Sequence, residues 1–251
     1  MLTLGVDLAA NPKRTAVCEI HWADGKGEIR DARVGATDDE LLDAFERADK
    51  VGIDAPFGWP DAFVESVTAY HEGKPWPRYA TERLRLRETD LFVHEQTGIW
   101  PLSVSSNLIA VTAMRCALLL SLYEQRHGPV LRDGSGKLVE VYPAAALRVW
   151  RQEFAGYKGK ANASKRAALV GWLQVTTTSW LRAGDEVWGP CQQTDHVFDA
   201  LIASLVARLA AAGYCWKVPE GATGCSRREG WIAIPQQSTL SNLANQDIGA
   251  S

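Results

Sequence analysis

The sequence lacks the two features that most often mark a secreted or membrane-embedded chain, paired cysteines and a long apolar run. Its five cysteines form no Cys-x-x-Cys pair and their number is odd, which argues against a disulfide framework and a zinc ribbon. The longest apolar runs, Leu108–Tyr123 and Val197–Ala212, are interrupted by charged residues and are too short to span a bilayer. No signal-peptide pattern precedes the first strand, so we expect a cytoplasmic protein with no membrane partner.

An excess of positive charge is also missing. The formal net charge is −3, which by itself does not indicate a nucleic-acid-binding protein. The charge is unevenly distributed, because residues 1–71 carry 7 basic and 14 acidic side chains, whereas residues 72–172 carry 15 and 9. A basic middle third fits a phosphate-facing insert beside an acidic site, and it fits a solvated arginine-rich helix equally well.

Hydrophobic periodicity predicts an α/β domain with helices and strands in alternation. Thr37 and Glu40 form a capping-box pattern at a helix start, and Pro143 suits the first turn of another helix. The predicted strands cover residues 2–9, 15–22, 28–34, 50–54, 137–141 and 230–234. The predicted helices cover residues 37–48, 61–70, 105–125, 144–154, 164–180 and 194–212.

The order of these elements predicts the fold class. Three initial strands in hairpins, then alternating helices and strands, and an apolar helix near the C-terminus are typical of an RNase H-like fold. We expect a mixed sheet with helices on both faces, and a helical, basic insert at about residues 72–130. The boundaries predict a single domain over residues 1–235, followed by a polar C-terminal tail at residues 236–251.

Two predicted strands end in the same short pattern, Gly5-Val6-Asp7 and Gly52-Ile53-Asp54. An aspartate at the end of a buried strand is unfavourable unless a partner compensates its charge, and a cation is the obvious partner. Each aspartate alone has an ordinary alternative role as a cap of the following turn. The repetition of the pattern in two strands favours a metal site that includes Asp7 and Asp54.

Further candidate carboxylates lie later in the chain. Asp195 and Asp199 are four residues apart in a predicted helix and therefore on one face, where a cation would relieve their repulsion. Asp195 also suits the first turn of a helix, so Asp199 is the stronger candidate ligand. Glu140, near the end of a strand, fits either a further ligand or a solvated edge residue. Arg87 and Asp90 fit either a helix ion pair or a substrate-positioning pair.

Together these motifs resemble the domain of unknown function 429 family, whose members are described as predicted RNase H-like nucleases. The resemblance runs from residue 2 to about residue 235. It implies that Asp7, Asp54 and Asp199 match the acidic positions of an RNase H-like site, and that Glu140 matches a Glu-x-x-Pro motif. Relatives often carry two adjacent acids shortly before the last aspartate. The resemblance rests on five segments: residues 5–9, 53–60, 87–90, 140–143 and 199–201.

The hypothesis that follows is a divalent-metal-dependent nuclease. Asp7, Asp54, Asp195 and Asp199 are the expected metal ligands, with Glu140 as a further catalytic carboxylate. They would hold two Mg²⁺ or Mn²⁺ ions about 3.5–4 Å apart. The expected partner is nucleic acid, DNA or RNA. Its backbone would be held by three basic side chains: Arg83, Arg85 and Arg87.

Two alternatives remain open at this stage. An actin-like or sugar-kinase-type phosphotransferase also begins with a Gly-x-Asp strand, but such proteins usually double the fold and place glycine and threonine after the aspartate. Here Leu8-Ala9-Ala10-Asn11 follows Asp7, and the chain is short for two copies. The second alternative is a non-catalytic binding or regulatory module that keeps the carboxylates for structure.

Overall fold

Seven strands form one mixed sheet in a computed structural model that describes residues 1–150, 156–237 and 239–244. The strands are β1 (Leu2–Asp7), β2 (Ala16–Ala23), β3 (Lys26–Val34), β4 (Lys50–Asp54), β5 (Leu138–Val141), β6 (Leu181–Arg182) and β7 (Ile232–Ala233). The α-helices of the described ranges are α1 (Asp38–Arg47), α2 (Asp61–His71), α3 (Thr81–Arg85), α4 (Glu88–Thr97), α5 (Ile109–His127), α6 (Pro143–Val149), α7 (Ala163–Thr177), α8 (Asp185–Gln193), α9 (Asp195–Ala211) and α10 (Thr223–Glu229).

The strand order is β6-β3-β2-β1-β4-β5-β7. Strand β2 pairs antiparallel with both β1 and β3. Strands β1, β4, β5 and β7 run parallel to one another. Because β1 and β4 are parallel neighbours in register, their carboxyl ends lie at the same edge of the sheet. The predicted mixed α/β architecture is thereby confirmed.

Helices cover both faces of the sheet and create two main apolar cores. On one face, α1 and α5 pack against side chains such as Leu4, Val6 and Ile53. On the other face, α6, α7, α8 and α9 pack against alternate residues of the same strands. The central strands are buried on both faces, which explains why β4 and β5 read as nearly continuous apolar segments.

Helix α9 is buried along almost its whole length, from Val197 to Leu209, because it lies between the sheet and the outer helices. It approaches β1 and β4 at two glycines that are paired in register, Gly5 and Gly52. A Cβ at Gly5 would overlap backbone atoms of α9, and one at Gly52 would lie 2.5 Å from the carbonyl oxygen of Ala203. The glycines therefore form a flat groove that lets the helix backbone rest directly on the sheet.

The sequence patterns locate most of the elements to within a few residues. The capping box is present, with the Thr37 side chain accepting from the Glu40 backbone and the Glu40 carboxylate accepting from the Thr37 backbone. Pro143 is the first residue of α6. The predicted strands over residues 2–9, 15–22, 28–34, 50–54 and 137–141 correspond to β1 to β5.

The range of the predicted helical insert, residues 72–130, contains α3, α4 and α5. Its first part contains the two short helices, α3 and α4. Its last part, α5, is a layer of the core, since Cys116, Leu119 and Leu120 are buried against the sheet. The elements α8, α10 and β6 were not predicted, because each is short and lacks a clear apolar period.

Parts of two predicted segments lie outside the described residues. The helix expected over residues 144–154 is observed as α6, and residues 151–155 are outside the described ranges. Within the predicted tail, Thr239–Ala244 form a 3₁₀ helix, and Leu240 and Leu243 are buried in the core beside α9. Residues 238 and 245–251 are outside the described ranges.

In the described part of the chain, none of the helices combines the length and the apolar character that a membrane crossing requires.

The glycine groove leads to a stability prediction. We expect Gly5→Ala to reduce the free energy of unfolding by about 3 kcal/mol or more, because backbone atoms of Ala200 and Ser204 cannot move away from the added methyl group. Gly171 in α7 is the matched control, since nothing lies within 4 Å of a Cβ there. Gly171→Ala should stabilise the protein by roughly 0.5–1 kcal/mol. Urea unfolding of both variants measures the difference, and equal effects would contradict the groove.

Candidate metal centre

Three carboxylates meet where β1 and β4 end. Asp7 and Asp54 are register partners on adjacent parallel strands, and Asp199 reaches the same point from the second turn of α9. One oxygen of each carboxylate lies within 4.8 Å of the corresponding oxygen of the other two. Asp7 and Asp54 therefore share one side of the sheet, and Asp199 approaches them from the last long helix. We call Asp7, Asp54 and Asp199 the carboxylate cluster.

The local chain geometry explains this convergence. Side chains alternate along a strand, so Asp7 and Asp54 point to the same face as Gly5 and Gly52, two residues earlier. That face is the one on which α9 rests, and the glycine groove holds the helix close enough for Asp199 to reach the strand ends.

The donor chemistry of the cluster fits a hard divalent cation. Carboxylate oxygens are the ligands that Mg²⁺, Mn²⁺ and Ca²⁺ prefer in proteins. The partly buried carboxylate of Asp54 has no hydrogen-bond or ion-pair partner among the residues that the structure describes. A carboxylate that is taken out of water without a partner is unfavourable, and a bound cation would supply the missing partner.

Burial and mutual repulsion shift the acidities of this cluster. Burial is the main cause that holds the pKa of Asp54 well above its usual value. The Lys158 ammonium group opposes this shift, and the nearby carboxylates add to it. Burial also raises the pKa of Asp199, while the ammonium group of Lys158 opposes this. Clusters whose charged form is disfavoured in this way are frequent at functional sites.

A tyrosine and a lysine that the sequence did not single out hold Asp199. The Tyr157 hydroxyl donates to Asp199 Oδ1 at 2.6 Å, and the Lys158 Nζ lies 2.7 Å from Asp199 Oδ2. These two residues stand between glycines in the sequence Gly156-Tyr157-Lys158-Gly159, which gives no periodic signal. Only the path of the loop brings them to the carboxylate cluster.

His196 holds Asp7 in the way that Tyr157 and Lys158 hold Asp199. Its Nδ1 lies 2.5 Å from Asp7 Oδ2, and Arg14 Nη2 donates to its Nε2 at 3.2 Å. When the ring is neutral its proton is on Nδ1, because a guanidinium can only donate. The hydrogen bond to Asp7 raises the pKa of His196 above its usual value. His196 thus orients Asp7.

Glu140 is not brought into the carboxylate cluster. It pairs in register with Ile53, so its side chain points to the face opposite that of Asp54. There, its carboxylate accepts two hydrogen bonds from the Arg87 guanidinium, at 2.9 and 2.7 Å, and one from the Phe57 backbone at 2.9 Å. The geometry assigns Glu140 to a buried hydrogen-bond network.

Arg87 is the centre of that network and is only 2% exposed. Its guanidinium donates to both oxygens of Asp90, to both oxygens of Glu140 and to the Glu229 carbonyl. All of its donors are therefore occupied, and it is not free to contact a phosphate as expected. The ion pair between Arg87 and Asp90 is the simpler of the two interpretations that the sequence allowed.

Glu229 extends the network to two helix starts, although the sequence analysis did not identify it. One carboxylate oxygen accepts from the Asp61 backbone at 2.8 Å, and the other accepts from the Glu88 backbone at 2.9 Å. A carboxylate at the N-terminus of a helix satisfies backbone donors and favours the helix dipole. A residue late in the chain therefore connects the starts of α2 and α4.

Three other predicted site residues lie outside the carboxylate cluster. Asp195 is partly exposed, and its Oδ1 lies 4.0 Å from Arg166 Nη1. Arg83 and Arg85 are exposed on α3. The hydroxyl groups of Ser103 and Ser105 donate to the backbone at α3, which connects this helix to the loop at the rim of the site.

A pocket of about 170 Å³ opens beside the carboxylate cluster. Its lining includes the acidic residues Asp7, Asp54 and Glu140 and the apolar residues Pro101, Leu102 and Ile109. Its volume is below the roughly 300–1,000 Å³ typical of sites that enclose a small molecule. A ligand would therefore present one group to the carboxylates while most of it remains outside.

One comparison with known proteins is informative. The model of a family described as "protein of unknown function (DUF429)" matches residues 5–223, a range that includes all three residues of the carboxylate cluster. No curated protein and no solved structure matches the chain. The family that the motifs resembled is confirmed, and its description names no activity.

The acidity shifts lead to a prediction for the metal-free protein. Because the folded-state pKa of Asp54 is raised, its contribution to stability is present below the unfolded value of about 3.9 and is lost as pH rises through the folded value. Asp54→Asn should therefore raise the Tm at pH 7 in EDTA, and the gain should shrink as pH is lowered. Each kcal/mol corresponds to roughly 2–4 °C in a domain of this size.

The same variant should lose the response to metal. Mn²⁺ should raise the Tm of the wild-type protein, because it binds the folded state selectively, and should leave Asp54→Asn unchanged. Asp43→Asn on the exposed side of α1 is the control and should respond as the wild type does. An equal Mn²⁺ shift in Asp54→Asn would contradict the metal centre.

A second variant separates the buried network from the metal centre. Glu140→Gln removes the charge that faces Arg87 and should destabilise the protein by about 3–5 kcal/mol. The shift of Tm with Mn²⁺ should remain, because Glu140 is not a ligand. Glu95→Gln on the exposed side of α4 is the control. Thermal unfolding with and without Mn²⁺ measures both effects, and loss of the Mn²⁺ shift would instead identify Glu140 as a ligand.

Proposed function

The chain belongs to the DUF429 family, and we propose that it is a divalent-metal-dependent nuclease of RNase H-like type, which hydrolyses phosphodiester bonds in nucleic acid. The observation that carries the proposal is the convergence of Asp7, Asp54 and Asp199 at the carboxyl ends of two parallel strands. In open α/β sheets, ligands characteristically bind outside the carboxyl ends of the strands. The donors are all carboxylates, which fits Mg²⁺ or Mn²⁺.

The order of elements supports the RNase H-like proposal. The chain begins with three strands in antiparallel pairs, continues with helices and parallel strands, and has its buried apolar helix α9 late in the sequence. This is the order on which the RNase H-like prediction rests. The location of the carboxylate cluster on the first and fourth strands and on the apolar helix supports the same proposal.

In this proposal, the chain binds and orients the reacting groups. Asp7, Asp54 and Asp199 would bind the cation, while His196 and Tyr157 keep two of these carboxylates in position through hydrogen bonds. When bound, the cation supplies Lewis-acid activation of water and stabilisation of the leaving oxygen.

Exposed basic residues at the rim would hold the backbone of the nucleic acid. Arg83 and Arg85 extend from α3, and the backbone of α3 is hydrogen-bonded to the loop that precedes α5. Pro101 and Leu102 of that loop line the pocket. A polymer that crosses the rim would therefore place a phosphate at the carboxylate cluster while its neighbouring phosphates contact the arginines.

The phosphotransferase alternative is less well supported by this geometry. A kinase encloses a nucleotide and surrounds its phosphates with glycine-rich backbone. Here the segment after Asp7 leads into a short 3₁₀ turn over Pro12–Arg14, and the pocket of about 170 Å³ is too small to enclose a nucleotide. A substrate that remains mostly outside the pocket fits a nucleic-acid strand.

Activity measurements test the proposal. Asp7→Asn and Asp54→Asn should each reduce Mn²⁺-dependent cleavage of single- or double-stranded nucleic acid by orders of magnitude, because each removes a cation ligand. Asp43→Asn should retain activity within a factor of about two. Gel-based cleavage with EDTA and Mn²⁺ measures the loss. ATP hydrolysis without cleavage would support the phosphotransferase, and binding without either reaction would support a non-catalytic module.

The two exposed arginines should affect binding instead of the chemical step. Changing Arg83 and Arg85 together to Ala should weaken nucleic-acid binding and reduce the slope of log Kd against log salt concentration by one to two, since each phosphate contact contributes slightly less than one. Arg182→Ala, in the edge strand β6, is the control and should leave the slope unchanged. An unchanged slope in the double variant would exclude α3 from the binding surface.

A further inference from the structure

A lysine ammonium group lies among the acidic groups of the candidate metal centre. Lys158 Nζ is 2.7 Å from Asp199 Oδ2, and Lys158 lines the same pocket as Asp7 and Asp54. Its side chain is 50% exposed, so the ammonium group lies on the solvent side of the cluster. The sequence predicts two divalent ions at this centre. The Lys158 ammonium group already supplies one positive charge there, so a second ion would compete with it.

The hydrogen bonds around the centre leave one carboxylate without a partner. Asp7 is held by His196, Asp199 by Lys158 and Tyr157, and Glu140 by Arg87. Among the described residues, Asp54 is the one of these acids that makes no hydrogen bond or ion pair, although the Lys158 ammonium group is near enough to lower its pKa. The place that requires a cation is therefore next to Asp54, with Asp7 and Asp199 on its other sides.

A count of charges also indicates one divalent ion. The three carboxylates of the cluster carry three negative charges when they are ionised. One divalent ion together with the Lys158 ammonium group balances them. Two divalent ions and the ammonium group would leave two excess positive charges at the centre.

We propose that Lys158 supplies the second positive charge of the centre, so that the carboxylate cluster takes up one divalent ion and not two. This inference rests on the proposed function and specifies how the same site binds its cation. Lys158 would hold Asp199 in place from the solvent side and present its remaining N–H donors to the pocket. An incoming phosphate would then contact one divalent ion and one ammonium group.

The number of bound ions tests the proposal directly. Mn²⁺ alone is the probe, and electron paramagnetic resonance of free Mn²⁺ combined with calorimetry gives the number of ions per chain. We expect one ion in the wild-type protein and one in Lys158→Arg, which keeps the positive charge. We expect two in Lys158→Met, which removes the charge and retains much of the side-chain length. Lys160→Ala, an exposed lysine two residues further along the loop, is the control and should bind one.

The outcomes separate this inference from the proposed function. Two ions in the wild-type protein would overturn the role of Lys158 and leave the metal-dependent nuclease intact. One ion in Lys158→Met would also overturn it, because the lysine would then not set the number. No bound ion in the wild-type protein would remove the basis of both proposals.

Thermal unfolding of the variant and diffraction from the wild-type protein give two further tests. Removal of the ammonium group should lower the Tm of Lys158→Met in EDTA, and Mn²⁺ should restore it, since the ions replace the lost charge. If Lys158→Met does not fold even with Mn²⁺, anomalous diffraction from wild-type crystals soaked in Mn²⁺ decides. A single peak with Lys158 Nζ still on Asp199 supports the proposal, and two peaks or a displaced lysine overturn it.

Discussion

The close approach of α9 to the sheet is the constraint on which the candidate site depends. At Gly5 and Gly52 the helix backbone occupies the space that side chains would otherwise fill. Because the aspartates follow two residues later on the same strand face, the contact that seats the helix also brings Asp199 to the strand ends. The Gly-x-Asp pattern is therefore one structural unit. The glycine lets the backbone of α9 lie against the sheet, and the aspartate two residues later is close to the helix as a result.

The acidic groups at this edge of the sheet are divided between two faces. On the face opposite α9, Glu140, Asp90 and Arg87 form a buried network that joins β5 to α4, and Glu229 connects it to α2. Buried ion pairs of this kind are sensitive to the loss of either partner. The network holds α2 and α4 in place. The other face keeps the carboxylates whose charge is only partly compensated, and these form the candidate metal centre.

The distribution of positive charge agrees with this division of roles. In the basic middle third of the sequence, Arg87 belongs to the buried network and Lys158 lies in the candidate metal centre, whereas Arg83 and Arg85 remain exposed on α3. An overall net charge of −3 therefore does not argue against a nucleic-acid substrate, because the relevant charges are local. A small pocket with the carboxylates of Asp7 and Asp54 in its lining would fit a polymer that offers one phosphate at a time.

Local patterns in the sequence determined the succession of the main strands and helices, the capping box at Thr37, and the three aspartates of the cluster. Periodicity, caps and repeated short motifs depend on neighbouring residues, so they can be read without the fold. Only the tertiary structure decided that Glu140 faces away from Asp54, that Arg87 is buried, and that Lys158 reaches Asp199. These outcomes depend on strand register and on the path of loops, which bring together residues far apart in the sequence and leave no local pattern.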